Sequence, residues 1–212
     1  MDDAVEAIWS AGTTAIGLMA DVSDSQQVNE LVAKTKEAFG PVNIAVSNVG
    51  IRHRMPFETI TGADWHRALS TNLSPSFYLA RAVIPDIRTE GFGRIILMSG
   101  NDGFFGHMPS RAADVMCKAK MQGLAMPLAH EFCKDGITAN TIAVGGIKIT
   151  RAVNQPANEE LIRLATERLA VSNFGECEDI AEACVYLACD SRLFVKGGAL
   201  RVNGGDFMTS RP

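Results

Sequence analysis

Short apolar runs alternate along this chain with longer amphipathic ones, and that alternation leaves few folds open. Residues 14–20, 42–47, 93–98, 137–143 and 199–203 are strand-length and largely apolar. Between them, apolar residues recur at helical spacing, as in Val28, Leu31, Val32, Thr35 and Phe39, which Gly40-Pro41 stops. Strands that alternate with helices in this way form β-α units around a parallel sheet. Residues 2–11 read as the end of a helix stopped by Gly12, and Ser23 fits the N-cap of the helix over 24–39. Asp64 is expected to cap a helix through about residue 90, kinked or divided at Pro75 and Pro85, and a second long helix spans 111–134 with a kink at Pro127. A loop over 144–156 and helices over 157–170 and 177–189 complete the pattern. With no repeat, linker or low-complexity tract, residues 1–212 read as a single α/β domain.

Composition narrows function mainly by exclusion. A formal charge of −4 and a pI near 5.6, with no Lys/Arg block, argue against a nucleic-acid or anionic-membrane surface. Apolar runs such as residues 95–98 are far too short to cross a bilayer, and the acidic start Met1-Asp2-Asp3 lacks the basic and apolar regions of a secretory signal. A cytoplasmic location is expected. The five cysteines (117, 133, 177, 184, 189) show no Cys-x-x-Cys spacing and are expected as reduced, buried thiols. The four histidines stand apart at 53, 66, 107 and 130, so no metal site is expected.

Several segments, in order, resemble motifs of one enzyme family. They are Asp21-Val22 after an apolar run, Ser47-Asn48-Val49-Gly50, Asn72-Leu73, Gly93-Arg94-Ile95-Ile96-Leu97-Met98-Ser99-Gly100, Cys117-Lys118-Ala119, Asn140-Thr141-Ile142-Ala143-Val144-Gly145, and Val202-Asn203-Gly204-Gly205. From about residue 2 to 208 the chain is similar to the short-chain dehydrogenases/reductases. The resemblance implies a three-layer, Rossmann-like parallel sheet, NAD or NADP as cofactor, and a hydroxy/keto substrate like that of a 3-oxoacyl-carrier-protein reductase. It places Asp21 and Val22 against the adenine, Asn48, Val49 and Gly50 on the cofactor, Lys118 on the ribose, and Gly145 and Ile147 near the nicotinamide. Asn72 falls on the family's proton-relay asparagine. Ser99 lies one residue before the position of the catalytic serine, which is Gly100 here. The long helices 64–90 and 111–134 match those through which the family dimerises, so a homo-oligomer is expected.

Two features depart from the family. The catalytic Tyr-x-x-x-Lys reads Asp114-Val115-Met116-Cys117-Lys118, and the only tyrosines are Tyr78 and Tyr186. No Gly-x-x-x-Gly-x-Gly or Gly-x-Gly-x-x-Gly loop stands near the start, so the family's first strand, phosphate loop, first helix and second strand have no counterpart. The fold is therefore expected to be truncated at its N-terminus, an upstream segment being one explanation. In the family, three steps of about 4.8 Å, roughly 14 Å, separate the strand matching 14–20 from that matching 42–47. Either these two segments pair directly, with helix 24–39 as a right-handed crossover, or a partner chain fills the slot.

The chemistry at position 114 changes with the residue. A tyrosine of pKa about 10, drawn down by a neighbouring lysine, can give a proton to an alkoxide; a carboxyl near 4 beside the same lysine is driven lower and is also shorter. Asp114 is either an exposed i,i+4 partner of Lys118, worth about 0.3–0.5 kcal/mol, or a buried general base. Ser99 is a strand-end or cap hydroxyl or a substrate anchor, and Asn72 a relay remnant or a buried polar residue bonding helix backbone. Asp21 and Asn48 are cofactor contacts or turn formers. His107 is a loop residue or a proton donor, and residues 104–108 line a substrate pocket or seal the domain. By descent the chain is an oxidoreductase, impaired by these departures; the competing class is a non-catalytic binding or assembly subunit.

Overall fold

The computed structural model describes residues 2–52, 54–105, 109–148, 163, 166–167 and 169–206. Its elements are α1 (Asp2–Ser10), α2 (Ser25–Phe39), β1 (Ile44–Ser47), α3 (Gly62–Asn72), α4 (Ser74–Glu90), β2 (Gly93–Gly100), α5 (Ala112–Glu131), β3 (Ile137–Val144), α6 (Cys177–Ala188) and β4 (Ala199–Val202). Among the described residues, the strands form one parallel sheet in the order β1-β2-β3-β4.

Strand periodicity builds the layers, because successive side chains of β2 point to opposite faces. Ile95 and Leu97 join Val32 of α2, Val83 and Ile87 of α4, and Met121 and Ala125 of α5 in one core. Ile96 and Met98 join Ile142, Ala183 and Leu187 in a second core beneath α6. Since both faces are covered, β2 and β3 are buried almost throughout, as strands inside a parallel sheet must be. The expected three-layer α/β architecture is present. At the base of β2, Arg94 lies 4.2 Å from the centre of the Phe92 ring and donates to the carbonyls of Cys189 and Asp190, fastening the end of α6 to the sheet.

The start of the chain departs from expectation. Residues 14–20 form no strand and do not pair with β1. Helix α2 is docked on α4 through buried Val28 and Val32 and a Lys36–Asp86 ion pair at 2.7 Å. That docking, rather than strand pairing, fixes where the preceding residues run. β1 is left at the sheet edge, where Ala45 and Ser47 face the α4 layer and Ile44 and Val46 are exposed on the other face.

Two capping assignments also change. The N-cap of α2 is Asp24, whose carboxylate accepts from Gln26 N at 2.8 Å, while Ser23 bonds Asp21. Thr61 caps α3, with Asp64 as its reciprocal partner three residues on. The 64–90 segment divides at Leu73, so Pro75 sits near the start of α4, where its missing N–H costs no helical bond. Pro85 and Pro127 lie inside α4 and α5. Most of the expected helix 157–170 and the loop beyond residue 148 lie outside the described residues.

The cysteines correct a further expectation: all are free, but only Cys117 is buried. Cys184 is half-buried, whereas Cys133, Cys177 and Cys189 are exposed because they sit at helix ends instead of on apolar helix faces.

Candidate functional site

The carboxyl ends of β1, β2 and β3 converge beside the first turns of α5, the place where open α/β sheets hold ligands. The loop leaving β1 is pinned by Asn72, the last residue of α3. Asn72 Oδ1 accepts from Ile51 N at 2.7 Å, and its Nδ2 donates to Ile51 O at 2.8 Å. The amide of this buried asparagine therefore holds loop backbone at Ile51, not helix backbone. Gly50 follows from the same contact, because a Cβ there would stand 3.3 Å from Asn72 Oδ1.

β2 and α5 are stitched together by two bonds. Ser99 Oγ donates to Lys118 O at 2.9 Å, and Lys118 Nζ donates to Met98 O at 2.7 Å. Burial pushes the Lys118 amine below the usual lysine range; Asp114 and Cys117 pull it up, and Arg52 and Arg111 press it down further. Cys117 is pushed up to about 11, chiefly by burial, and its thiol points at Ala68 O, 3.6 Å away. After β2, the turn Asn101–Phe104 lies so close to α5 that a Cβ on Gly103 would come within 2.8 Å of Ala119 N.

Asp114 is neither exposed nor the ion-pair partner of Lys118. Its side chain is 4 % exposed and accepts from Arg111, at 3.1 Å from Nε and at closer range from Nη2. Arg111, 5 % exposed, also pairs with Asp102. A carboxylate that is dehydrated here needs a cation, and the residue one turn earlier supplies it. Ser110, just before, takes φ 62°, a left-handed conformation costing a non-glycine residue about 1–2 kcal/mol. Its carbonyl accepts from Met55 N at 2.9 Å, so strain at Ser110 accompanies the turn that delivers Arg111.

The remaining predicted positions are scattered. Asp21 is exposed and accepts from the backbone and hydroxyl of Ser23, which lowers its pKa, so it acts as a turn former. Val22 lies in the same turn, while Asn48 and Val49 are exposed beyond β1. Gly145 packs so closely on Asn203 that a Cβ would meet its Cα at 2.5 Å, and Ile147 forms a bridge with Gly175. Thus the fold brings Asn72, Ser99, Asp114 and Lys118 around β2 and α5, with Gly50 against Asn72, while Asp21 and Val22 lie in the turn before α2. His53, Gly106, His107 and Met108 fall outside the described residues; Phe104 lies under Arg201, 4.8 Å from its ring centre.

Sequence reasoning missed Arg111 and Asp102. The i,i+3 spacing of Arg111 and Asp114 was a usable signal, whereas nothing in the sequence marks Asp102 as the third member. It also missed the link from Asn101 to Asn203 and Asp206, both at 3.0 Å, which ties the turn after β2 to the chain beyond β4.

A diphosphate needs free amides at a helix N-terminus beside a close backbone approach. One leading amide each of α2, α3 and α6 is taken by the side chain of Asp24, Thr61 and Glu176, whereas α4 and α5 have no side-chain cap. Lys118 Nζ and the Asp21 carboxylate are likewise engaged within the chain. Among the described residues, no helix is long and apolar enough to cross a membrane, and no group of three or more His, Cys, Asp and Glu is arranged to hold a metal.

Comparison with known proteins places this geometry in a lineage. The enoyl-(acyl carrier protein) reductase family matches residues 1–206. A 3-oxoacyl-(acyl-carrier-protein) reductase of Staphylococcus epidermidis is 30 % identical over 206 residues, 96 % of this chain and 82 % of that protein. An acetoacetyl-CoA reductase of Rhizobium meliloti is 34 % identical over 190 residues, covering 88 % and 77 %. The fold matches that of a Sinorhizobium meliloti protein described as a short-chain alcohol dehydrogenase, with TM-score 0.91 at 24 % identity over 97 % of this chain and 81 % of the other. On the family match and on reductases at 30 % identity or more across most of its length, the chain belongs to the enoyl-(acyl carrier protein) reductase family, within the short-chain dehydrogenases/reductases.

Proposed function

We propose that this chain, as one unit over residues 1–212, is an NAD- or NADP-dependent oxidoreductase by descent whose hydride-transfer chemistry is impaired. Its ancestral substrate class is a hydroxy or keto compound such as a 3-oxoacyl thioester. The observation that carries the reading is the ion pair of Asp114 with Arg111, Asp114 being the residue that the sequence resemblance aligns with the family's tyrosine. A side chain held by a buried guanidinium is not free to serve a substrate oxygen. Support comes from the other ancestral positions. Ser99 and Lys118 spend their donors on backbone carbonyls, and Asn72 spends both ends of its amide on Ile51.

Calorimetric titration of the purified chain with NADH and with NADPH tests this, together with acetoacetyl-CoA reduction followed by cofactor absorbance. The expected outcome is no heat, no thermal shift at millimolar cofactor, and no turnover. Turnover that is abolished by Lys118→Ala would overturn the proposal.

A second reading, that the chain serves as a binding or assembly subunit, draws on helices α4 and α5. Phe77 and Met126 stand about half exposed there, at 48 % and 51 %. Replacing both with lysine is expected to leave the fold intact and to dissociate any oligomer built through those helices.

A further inference from the structure

Lys118 differs from most lysines of this chain in the surroundings of its amine. It is only partly exposed, whereas Lys34, Lys36, Lys120, Lys134 and Lys148 lie open to solvent. Among the described residues no carboxylate pairs with it, because Asp114, one turn back on α5, is committed to Arg111. The single acceptor at Nζ is the Met98 carbonyl at 2.7 Å. Arg52 and Arg111 both press on the amine with positive charge, against the pull of Asp114 and Cys117. Dehydration and neighbouring cations are the two conditions that free a lysine amine of its extra proton and make it a nucleophile toward carbonyl carbon. The bond to Met98 O uses a hydrogen of that neutral amine and leaves its lone pair unused.

Space stands beside the amine's stem as well. Gly100 ends β2 with φ −146° and ψ 150°, ordinary extended backbone. The nearest atoms that a Cβ there would meet are Cγ, Cδ and Cβ of Lys118, at 3.5, 3.7 and 3.9 Å. Those are normal contact distances, so the position accepts a side chain and holds none. The gap has the size of one missing side chain, which suits a small and unhindered carbonyl compound.

We infer that Lys118 captures a small aldehyde as a reversible imine in the gap beside Gly100. The ammonium first gives one proton to solvent. The lone pair then forms the C–N bond while the π pair of C=O moves to oxygen, which takes one proton from nitrogen and one from solvent and leaves as water. The iminium nitrogen keeps one N–H, and Met98 O remains the acceptor for it, so the charged adduct retains the bond of the free amine. Nothing is oxidised or reduced, and neither a nucleotide nor a proton from Asp114 takes part. The capture is therefore independent of the impaired-hydride reading, and the cofactor titration and the test below fail separately.

The test treats the full chain near neutral pH with acetaldehyde and cyanoborohydride, which adds hydride to the imine carbon and fixes it as ethyl-lysine. Initial rates at Lys118, Lys120 and Lys134 are read by peptide mass spectrometry. In the folded protein Lys118 is expected to react at least about tenfold faster than either exposed lysine, and in urea the three rates should converge. Gly100→Val fills the gap and should bring the Lys118 rate down to that of Lys120 with an unchanged circular dichroism spectrum. If that variant does not fold, Gly100→Ser replaces it. A Lys118 that reacts no faster than Lys120 in the native chain overturns the inference. So does a preference that persists in urea, which indicates local sequence alone, and so does one that the filled gap leaves intact.

Discussion

Replacing Arg111 with methionine should be among the most damaging single changes near the site. Arg111 and Asp114 are almost fully dehydrated, and Asp102 is only partly so, at 21 % exposure. Removing the guanidinium leaves the Asp114 carboxylate buried without a cation, a loss of about 3–5 kcal/mol. With a urea slope of about 2 kcal/mol per molar, the unfolding midpoint should fall by roughly 1.5–2.5 M. Asp102→Asn keeps Arg111 paired with Asp114 and should cost about 1 kcal/mol, nearer to an exposed pair. Arg111→Met with Asp114→Leu removes both charges, so the double variant should recover most of the loss. The assay is urea unfolding of all four proteins, followed by circular dichroism. A midpoint shift for Arg111→Met below about 0.5 M, or a double variant as unstable as the single, would refute the account of a dehydrated, mutually dependent pair.

Asn72→Ala strips two bonds from the Ile51 backbone and should lower stability by about 2–4 kcal/mol, read as a fall in melting temperature. In thiol labelling near pH 8, Cys133, Cys177 and Cys189 should react in the native state, while Cys117 should wait for unfolding. Because the Cys117 thiol is raised from 9.0 to about 11 in the fold, the unfolded chain loses that proton first; stability should decline as pH climbs through that interval, and Cys117→Ala should flatten the decline. Asp114→Tyr alone should not restore acetoacetyl-CoA reduction, since Lys118 Nζ remains engaged with Met98 O; measurable turnover in that variant would count against the proposed impairment.

The parts of this molecule that were legible in its sequence are those whose cause is local. β2 and β3 announce themselves as continuous apolar runs because both of their faces are covered, and Gly40-Pro41 stops α2 by backbone geometry alone. Residues 14–20 have the same apolar character, yet a strand exists only through its neighbour, and among the described residues none pairs with them. Caps were misplaced by one to three residues. Ser23 and Asp24 are both good caps, and only the reach of the carboxylate to Gln26 N decides between them. At the site, Asn72, Ser99, Asp114 and Lys118 were found by likeness to a family, but their bonding was not. Spacing shows that Asp114 and Lys118 share a helix face, whereas burial, which selects Arg111 instead, depends on how α5 meets α3 and the turn after β2.

The Lys118 bond shows why stability and idleness have one origin on the proposed reading. Arg94 bonds Asn43 of β1, so by alternation Ile96 and Met98 also turn their backbone groups toward β1. But β1 ends at Ser47, opposite Leu97, which leaves the Met98 carbonyl facing the place where the ladder has stopped. Lys118 Nζ fills that place at 2.7 Å. For the amine to hold a ribose it must give up a charge-assisted bond worth about 1.5–3 kcal/mol and leave a buried carbonyl unpaired. A ligand can offset this only with other anchors. Of the amides that could supply a diphosphate grip, one each in α2, α3 and α6 is already taken by Asp24, Thr61 and Glu176. The bonds that secure β2 to α5 therefore also oppose ligand entry, and neither property can be strengthened without the other.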